Sequence, residues 1–464
     1  MTTVPNMPAF ADPDSAARPL HVVAQDSLQA WLDAQPPQWA AWLRDGAFGA
    51  GLGELALLPG MDGGAVVGAV VGLGDARARA RQRFGLAKAV SALPAGNWEF
   101  VGLPAPLATE AALGWLLAQY RFDRYKPANR VWPALKCPDG VDEAQVLAMA
   151  RGEFLTRDLI NTPAQDLGPA ELEAAFVALA ERHGAAVQVV SGAALETDFP
   201  MVHAVGKGSD RAPRIMSLRW GQSGPSLTLV GKGVCFDTGG LNLKPSSGMQ
   251  LMKKDMGGAA TVMGLAQMIM ELNLPLRLRV IVPAVENSVS GRAMRPKDIL
   301  KSRKGLTVEV NDTDAEGRLV LADALAWACE ESPEVLISMA TLTGAARVAV
   351  GPDLAPYYTD DAAMAGALED GARAGADPVW RLPFHDAYES VIEPGIADLD
   401  NAPGYGFAGS ITAALFLRRF ADHPRYMHFD IYGHTPSDAP ARPKGGVGQG
   451  ARALLLALPQ MLGL

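Results

Sequence analysis

The chain is poor in the residues from which metal and redox centres are usually read. Only three cysteines occur in 464 residues. Cys137, Cys235 and Cys329 are widely separated and odd in number, which argues against a disulfide framework and suits a reducing compartment. Seven histidines are scattered. Only His428 and His434 stand close together, and no zinc site built on His or Cys spacing is present. Long hydrophobic runs are missing too. The most apolar stretch, Gly63 to Gly74, falls well short of the roughly 20 residues that cross a bilayer, and it reads as a buried strand with its turns. The first residues have neither a basic start nor a continuous apolar run, so no secretory signal is expected. A cytoplasmic protein without a membrane partner follows. Cationic excess is absent: the net charge is -9, which disfavours nucleic acid as a partner. The glycine runs match neither the phosphate-loop nor the dinucleotide pattern. There is no internal repeat and no low-complexity tract.

What the chain does have is globular: 49% apolar and 20% charged residues, at a length that suits two domains. Up to about residue 135, strands at Ala65–Leu73 and Trp98–Leu103 mix with helices at Ala76–Leu93 and Thr109–Arg121. Prolines 127, 133 and 138 mark Lys126–Gly140 as a linker. A helix from Asp142 to Leu159 follows. Beyond it, apolar runs of strand length (Ser226–Val230, Leu278–Val285, Val335–Thr341) alternate with helices (Ala259–Leu272, Leu319–Glu331). That alternation is the mark of an α/β domain with a largely parallel sheet. The expected organisation is a small N-terminal α/β domain over 1–135, a linker and connecting helix over 136–157, and a larger catalytic α/β domain over 158–464 with a mostly parallel central sheet.

Two stretches concentrate chemistry. Gly231 to Ala260 opens G-K-G-V-C-F-D-T-G-G-L-N-L-K-P and closes M-K-K-D-M-G-G-A-A, and Asn311 to Leu319 reads N-D-T-D-A-E-G-R-L. Together they carry Asp237, Asp255, Asp314 and Glu316 with Lys232, Lys244 and Arg318. Carboxylates brought that close need compensating cations, and two divalent ions serving a hydrolytic reaction suit the set. The acids fall where strands end and helices begin, the usual place for a site in an open α/β sheet. Asp237 and Glu316 suit bridging two metals, with Asp255 and Asp314 completing the separate spheres. Taken singly, each acid reads as a cap or a solvated group; the set as a whole points to metal. Lys232, beside two dications, favours the neutral amine that can ligate; Lys244 suits a fixed cation facing developing oxyanion charge. Cys235 reads as a small buried hydrophobe, and His428 and His434 as structural or solvated. The methionines at 249, 252, 256 and 263 read as core, with Met252 also a candidate for a pocket wall.

These residues resemble the leucine aminopeptidase family, two-metal exopeptidases of the cytosol. The resemblance rests on the two stretches above, with weaker echoes in R-D-L-I-N-T-P-A, A-T-L-T-G-A and H-F-D-I-Y-G, and covers roughly residues 155 to 455. It implies that Lys232, Asp237, Asp255 and Glu316 hold one metal, and that Asp237, Asp314 and Glu316 hold a second, more exchangeable one. Zn²⁺ and Mn²⁺ are the expected ions, with Mg²⁺ and Co²⁺ also compatible with the ligands. It further implies that Lys244 polarises the scissile carbonyl and that Arg318 holds a bicarbonate acting as general base. Thr341, Leu342 and Gly344 would bind the peptide through strand-end backbone, and Met252 would wall the specificity pocket. The implied activity is removal of N-terminal residues, leucine-like and others, from peptides by a homohexamer whose sites face an inner cavity. Two departures stand out. Asp312 stands where the family commonly has asparagine, which would favour cationic leaving residues unless Asp312 caps a turn or meets a lysine. The usual R-P-G-D turn reads R-P-K-D at Arg295 to Asp298. Rival readings are an inactive structural or nucleic-acid-binding hexamer and a two-metal amidase for non-peptide substrates.

Overall fold

A computed structural model describes residues 7–60, 64–127 and 130–464; Gly63 and residues 128 and 129 of the expected linker lie outside the described residues. By contacts the chain divides into two compact units, Met1–Phe154 with Ser437–Lys444, and Leu155–Pro436 with Gly445–Leu464. The division falls within the helix Glu143–Asn161.

The first unit is built on a five-stranded sheet, in spatial order Leu55–Pro59, Val66–Gly74, Arg18–Ala24, Gly96–Val101 and Pro133–Leu135. Val66–Gly74 is its most buried strand, as its unbroken apolar run predicts. Two expectations change here. The helix expected over Ala76–Leu93 stops at Arg81, because Phe84 turns to φ +56 and a 3-10 segment, Gly85–Ser91, takes over. The expected linker contributes an edge strand: Pro133 opens Pro133–Leu135, which pairs in parallel with Gly96–Trp98. A proline is tolerated at the first residue of an edge strand, where its missing N–H leaves no ladder bond unmade.

The second unit carries a nine-stranded sheet. Its centre runs Tyr426–Asp430, Val335–Ala340, Ser226–Gly231 and Arg277–Asn287, all mutually parallel. Antiparallel pairs occur only toward the margins, through Arg214–Trp220, Ala186–Ser191 and Ala355–Tyr358. Every residue of Val335–Ala340 is buried, consistent with a parallel sheet covered on both faces. In the helix Gly257–Glu271 all but the last residue are buried. Its start can approach the sheet only because position 258 is glycine: a Cβ there would lie 2.1 Å from the carbonyl oxygen of Met339. The architecture is therefore mixed α/β, with a smaller N-terminal unit and a larger one on a mostly parallel central sheet.

A small sheet, Ile299–Lys301, Thr307–Glu309 and Leu399–Asp400, leads the chain into the second acidic stretch. In the R-P-K-D turn, Lys297 takes φ +75, a region that costs a residue with a Cβ about 1–2 kcal/mol. Its ammonium meets the buried Glu309 carboxylate at 2.9 Å, which offsets part of that strain. No helix among the described residues is long and apolar enough to cross a membrane.

Candidate active site

Each acid of the two stretches sits where a regular element ends. Asp237 closes the strand Gly233–Asp237. Asp255 lies in the 3-10 turn Met252–Met256, directly ahead of Gly257–Glu271. Glu316 occupies the N-cap position of Gly317–Cys329, with Asp314 in the loop before it. Lys232 stands between the strands Ser226–Gly231 and Gly233–Asp237, its N–H donating to Met339 O at 3.0 Å and its carbonyl accepting from Ala259 N at 2.8 Å.

These side chains converge. One ligand oxygen from each of Asp237, Asp255 and Glu316 lies within 4.8 Å of the others, and all three residues are buried. Lys232 Nζ is 2.8 Å from Asp255 and 3.0 Å from Glu316, and donates to Thr341 O at 3.0 Å. Lys244 Nζ lies 2.8 Å from Asp237 and 2.5 Å from Asp314. Gly317 makes room for this packing, since a Cβ there would stand 2.6 Å from Lys232 Nζ.

The electrostatics are those of acids crowded beyond their cations. Burial pushes the Lys232 pKa down, but Asp255, Glu316 and Asp237 outweigh it and hold the ammonium well above the usual lysine range. Asp255 is buried, which alone would raise its pKa; Lys232 and Lys254 bring it below the usual value. Glu316 goes the other way. Its burial and the nearby Asp237 charge push it well above the ordinary carboxyl range, because Asp255 competes for the same lysine. Burial, then Asp237, drives Asp314 up to about 7. Glu316 Oε2 has no hydrogen-bond partner, while Glu316 Oε1 and Asp314 Oδ1 meet only the ammonium groups of Lys232 and Lys244. Buried carboxylate oxygens left open in this way fit a divalent cation. By donor chemistry the Asp, Glu and Lys set is compatible with Mn²⁺, Mg²⁺, Zn²⁺ or Co²⁺.

Lys232, Asp237, Lys244, Asp255 and Asp314 line a cavity of about 420 Å³; Glu316, 1% exposed, is absent from its wall. Met252, Thr341, Leu342 and Gly344 line the same cavity. Arg318 does not. It is buried in the first turn of Gly317–Cys329, with Nη1 donating to Asn401 O at 2.5 Å and Nε unpartnered; burial holds its pKa below the usual guanidinium range. Asp312 is also absent from the cavity wall. Its Oδ1 accepts the Asp314 N–H at 2.8 Å, so it caps the turn. Cys235 is buried with its thiol pKa pushed up by burial, and His428 is a buried partner of Ser338 Oγ at 2.8 Å.

Both family models for cytosol aminopeptidases match this chain: the catalytic domain over residues 154–455 and the N-terminal domain of the same peptidase family over residues 18–138. The chain belongs to the cytosol aminopeptidase family. It is an aminopeptidase, a hydrolase whose substrates are peptides. A probable cytosol aminopeptidase of Roseiflexus castenholzii is 40% identical over 375 residues, covering 76% of this chain and 77% of the relative. One from Chlorobaculum tepidum is 36% identical over 454 residues, 89% of this chain and 90% of the relative. The crystal structure of the Coxiella burnetii cytosol aminopeptidase superposes with a TM-score of 0.91 at 38% identity, covering 97% of this chain and 98% of that one. The bottromycin maturation enzyme BotP, in complex with Mn, gives a TM-score of 0.85 at 32% identity over 96% and 99% of the two chains.

Sequence reasoning missed several residues that shape the site. Asn287 Nδ2 donates to Asp237 Oδ1 at 2.8 Å and to Thr313 O at 3.0 Å, tying the two acidic stretches together. Asp430 accepts from the N–H groups of Leu342 at 3.1 Å and Thr343 at 3.0 Å, fixing the 341–344 backbone. Asn401 accepts from Asn311 N at 2.8 Å and donates to Asp312 O at 2.7 Å. Lys254, Arg347 and Tyr432 line the cavity as well. Lys254 could have been found, since it sits inside M-K-K-D-M; nothing local marks Asn401 or Arg347.

Proposed function

We propose that this aminopeptidase removes the N-terminal residue of peptides, leucine-like and others, using two divalent metal ions per subunit. The observation that carries the reading is the buried triad of Asp237, Asp255 and Glu316, whose oxygens are crowded and incompletely hydrogen-bonded, with Asp237 and Asp255 at the cavity wall. Lys232, Asp237, Asp255 and Glu316 would hold one ion, and Asp237, Asp314 and Glu316 the other. Divalent ions held there supply Lewis-acid activation of the attacking water and the scissile carbonyl.

The protein's own groups then divide the work. Lys244 presents a fixed ammonium that stabilises charge developing on the carbonyl oxygen. The backbone of Thr341, Leu342 and Gly344, braced by Asp430, orients the peptide. Met252 packs against the first side chain. Arg318, buried with Nε unpartnered, would hold a small anion such as bicarbonate as general base. We assign the working assembly as a cytoplasmic homohexamer; exposed apolar side chains on the catalytic unit, Val348 and Phe407 among them, support burial between copies.

A panel of aminoacyl and peptide substrates, assayed after chelation and readdition of Mn²⁺, Zn²⁺, Mg²⁺ and Co²⁺, tests this. Loss on chelation and recovery with Mn²⁺ or Zn²⁺ is the expected result. Full activity in protein shown metal-free by elemental analysis would refute the two-metal reading, and turnover of non-peptide amides alone would move the chain to the amidase reading.

A further inference from the structure

The cavity holds a group that the hydrolytic machinery leaves unexplained. Lys254 is buried, with 7% of its surface exposed, and it forms no ion pair with a carboxylate among the described residues. The nearest acid in sequence, Asp255, is engaged by Lys232 at 2.8 Å and by Thr341 Oγ1 at 2.8 Å. The Lys254 ammonium instead faces the Tyr432 ring, 4.9 Å from its centroid. A second cation meets the same ring: Arg347 Cζ lies 5.0 Å from that centroid. Arg347 is exposed, lines the same cavity and is also without a carboxylate partner among the described residues.

A buried cation normally has its counter-charge close by, because desolvating it alone is costly. A cation–π contact recovers only part of that cost, about 0.5–2 kcal/mol. Two such cations on one aromatic ring, beside a reaction centre, make a site for an anionic group that the chain does not supply. Its place in the cavity identifies the donor. Lys254 is next to the buried Lys232–Asp255 pair, at the closed end of the cavity, and Arg347, which is exposed, meets the same Tyr432 ring from the open side. In an enzyme that cuts after the first residue, the remainder of the peptide must leave by the open side. The side chain of the first residue then points to the closed one.

Building on the aminopeptidase reading, we propose that Lys254 and Arg347, set against Tyr432, recognise a carboxylate on the side chain of the substrate's N-terminal residue, so that Glu and Asp are favoured over their neutral isosteres. These are specificity residues. A charge-assisted hydrogen bond to each cation would supply the discrimination, and Met252 would pack against the aliphatic part of the side chain.

The test compares kcat/KM for the 4-nitroanilides of Glu, Gln, Asp, Asn and Leu, which carry no terminal carboxylate, in the metal-loaded wild type and in Lys254→Met, Lys254→Arg and Arg347→Gln. The wild type is expected to prefer Glu over Gln by about tenfold or more, a difference of about 1.4 kcal/mol. Lys254→Met and Arg347→Gln should each bring that ratio toward one, and Lys254→Arg should restore part of it. Arg347 is remote in sequence from the ligands, so its variant keeps the test decisive if Lys254→Met loses metal. Turnover of Leu with a Glu-to-Gln ratio at or below one in the wild type would overturn the proposal while leaving the aminopeptidase reading intact. So would a dependence on Lys254 seen only for Leu-Ala over Leu-Ala amide, which would assign the cations to a free C-terminus. Absence of cleavage of every substrate would reject the proposed function itself.

Discussion

Replacing Glu316 by Gln separates the cost of the acidic cluster from its use. Glu316 is 1% exposed, and its ligand oxygen lies within 4.8 Å of those of Asp237 and Asp255. At an effective dielectric of about 20, two unit charges at that 4.8 Å limit repel by roughly 3.5 kcal/mol. Its ion pair with Lys232 at 3.0 Å is shared with Asp255, and the buried Arg318 adds a second attraction. Without metal, Glu316→Gln removes the repulsions from Asp237, Asp255 and Asp314 along with the attractions to Lys232 and Arg318, so the chelated variant should melt at or above chelated wild type. With metal the order should reverse. An ion at a hundred times its Kd stabilises the wild type by about 2.7 kcal/mol. Each tenfold loss of affinity in the variant removes about 1.4 kcal/mol of that gain. Melting midpoints recorded in chelator and across a Mn²⁺ series, with metal content by elemental analysis, measure both effects. Equal metal-dependent rises in the two proteins would refute the assignment of Glu316 as a ligand.

Other perturbations probe separate parts of the site. Lys244→Ala should leave metal content near wild type while kcat falls by about 10²–10³, the usual loss for an oxyanion-stabilising donor; parallel loss of metal and rate would make Lys244 a structural counter-ion. Asp312→Asn should leave the ranking of Leu-Lys, Leu-Ala and Leu-Glu unchanged, because an asparagine oxygen can still accept the Asp314 N–H; a several-fold change in that ranking would restore a direct role in specificity. His428 is buried and its pKa is lowered to about 3, so between its unfolded value near 6.5 and about 3 the unfolded chain binds the extra proton. Stability therefore falls as pH drops through that window, by at most about 1.4 kcal/mol per unit. The melting temperature of His428→Gln should fall less steeply from pH 6.5 to 4 than that of the wild type, and identical slopes would remove His428 as a source of acid sensitivity.

Much of the fold is local in origin, and that part is legible in the residues. The apolar runs at Ser226–Gly231, Arg277–Asn287 and Val335–Ala340 are strands, because a parallel sheet covered on both faces needs continuous hydrophobic segments. Asp237, Asp255, Asp314 and Glu316 are recognisable because their flanking glycines and strand–helix junctions are encoded beside them. The helix expected over Ala76–Leu93 shows the limit of such reading: its break rests on one residue, Phe84, adopting positive φ, and nothing in its composition announces that.

What the tertiary structure alone decides is partnership across long separations. Asn401 shapes the loop that carries Asp314 and Glu316 from about ninety positions away, and Asp430 braces the 341–344 backbone from a similar distance. The role of Asp312 turns on a hydrogen bond two residues along the chain, against a cavity whose wall comes from elsewhere. Only folding buries Lys254 against Tyr432 and gives its Asp neighbour to Lys232. Residue types and spacing determine which groups are available for chemistry. Burial and the competition of several acids for each lysine determine which of them are left unsatisfied, and those energies depend on distances that exist only once the sheet, the helices and the two acidic stretches have closed on one another.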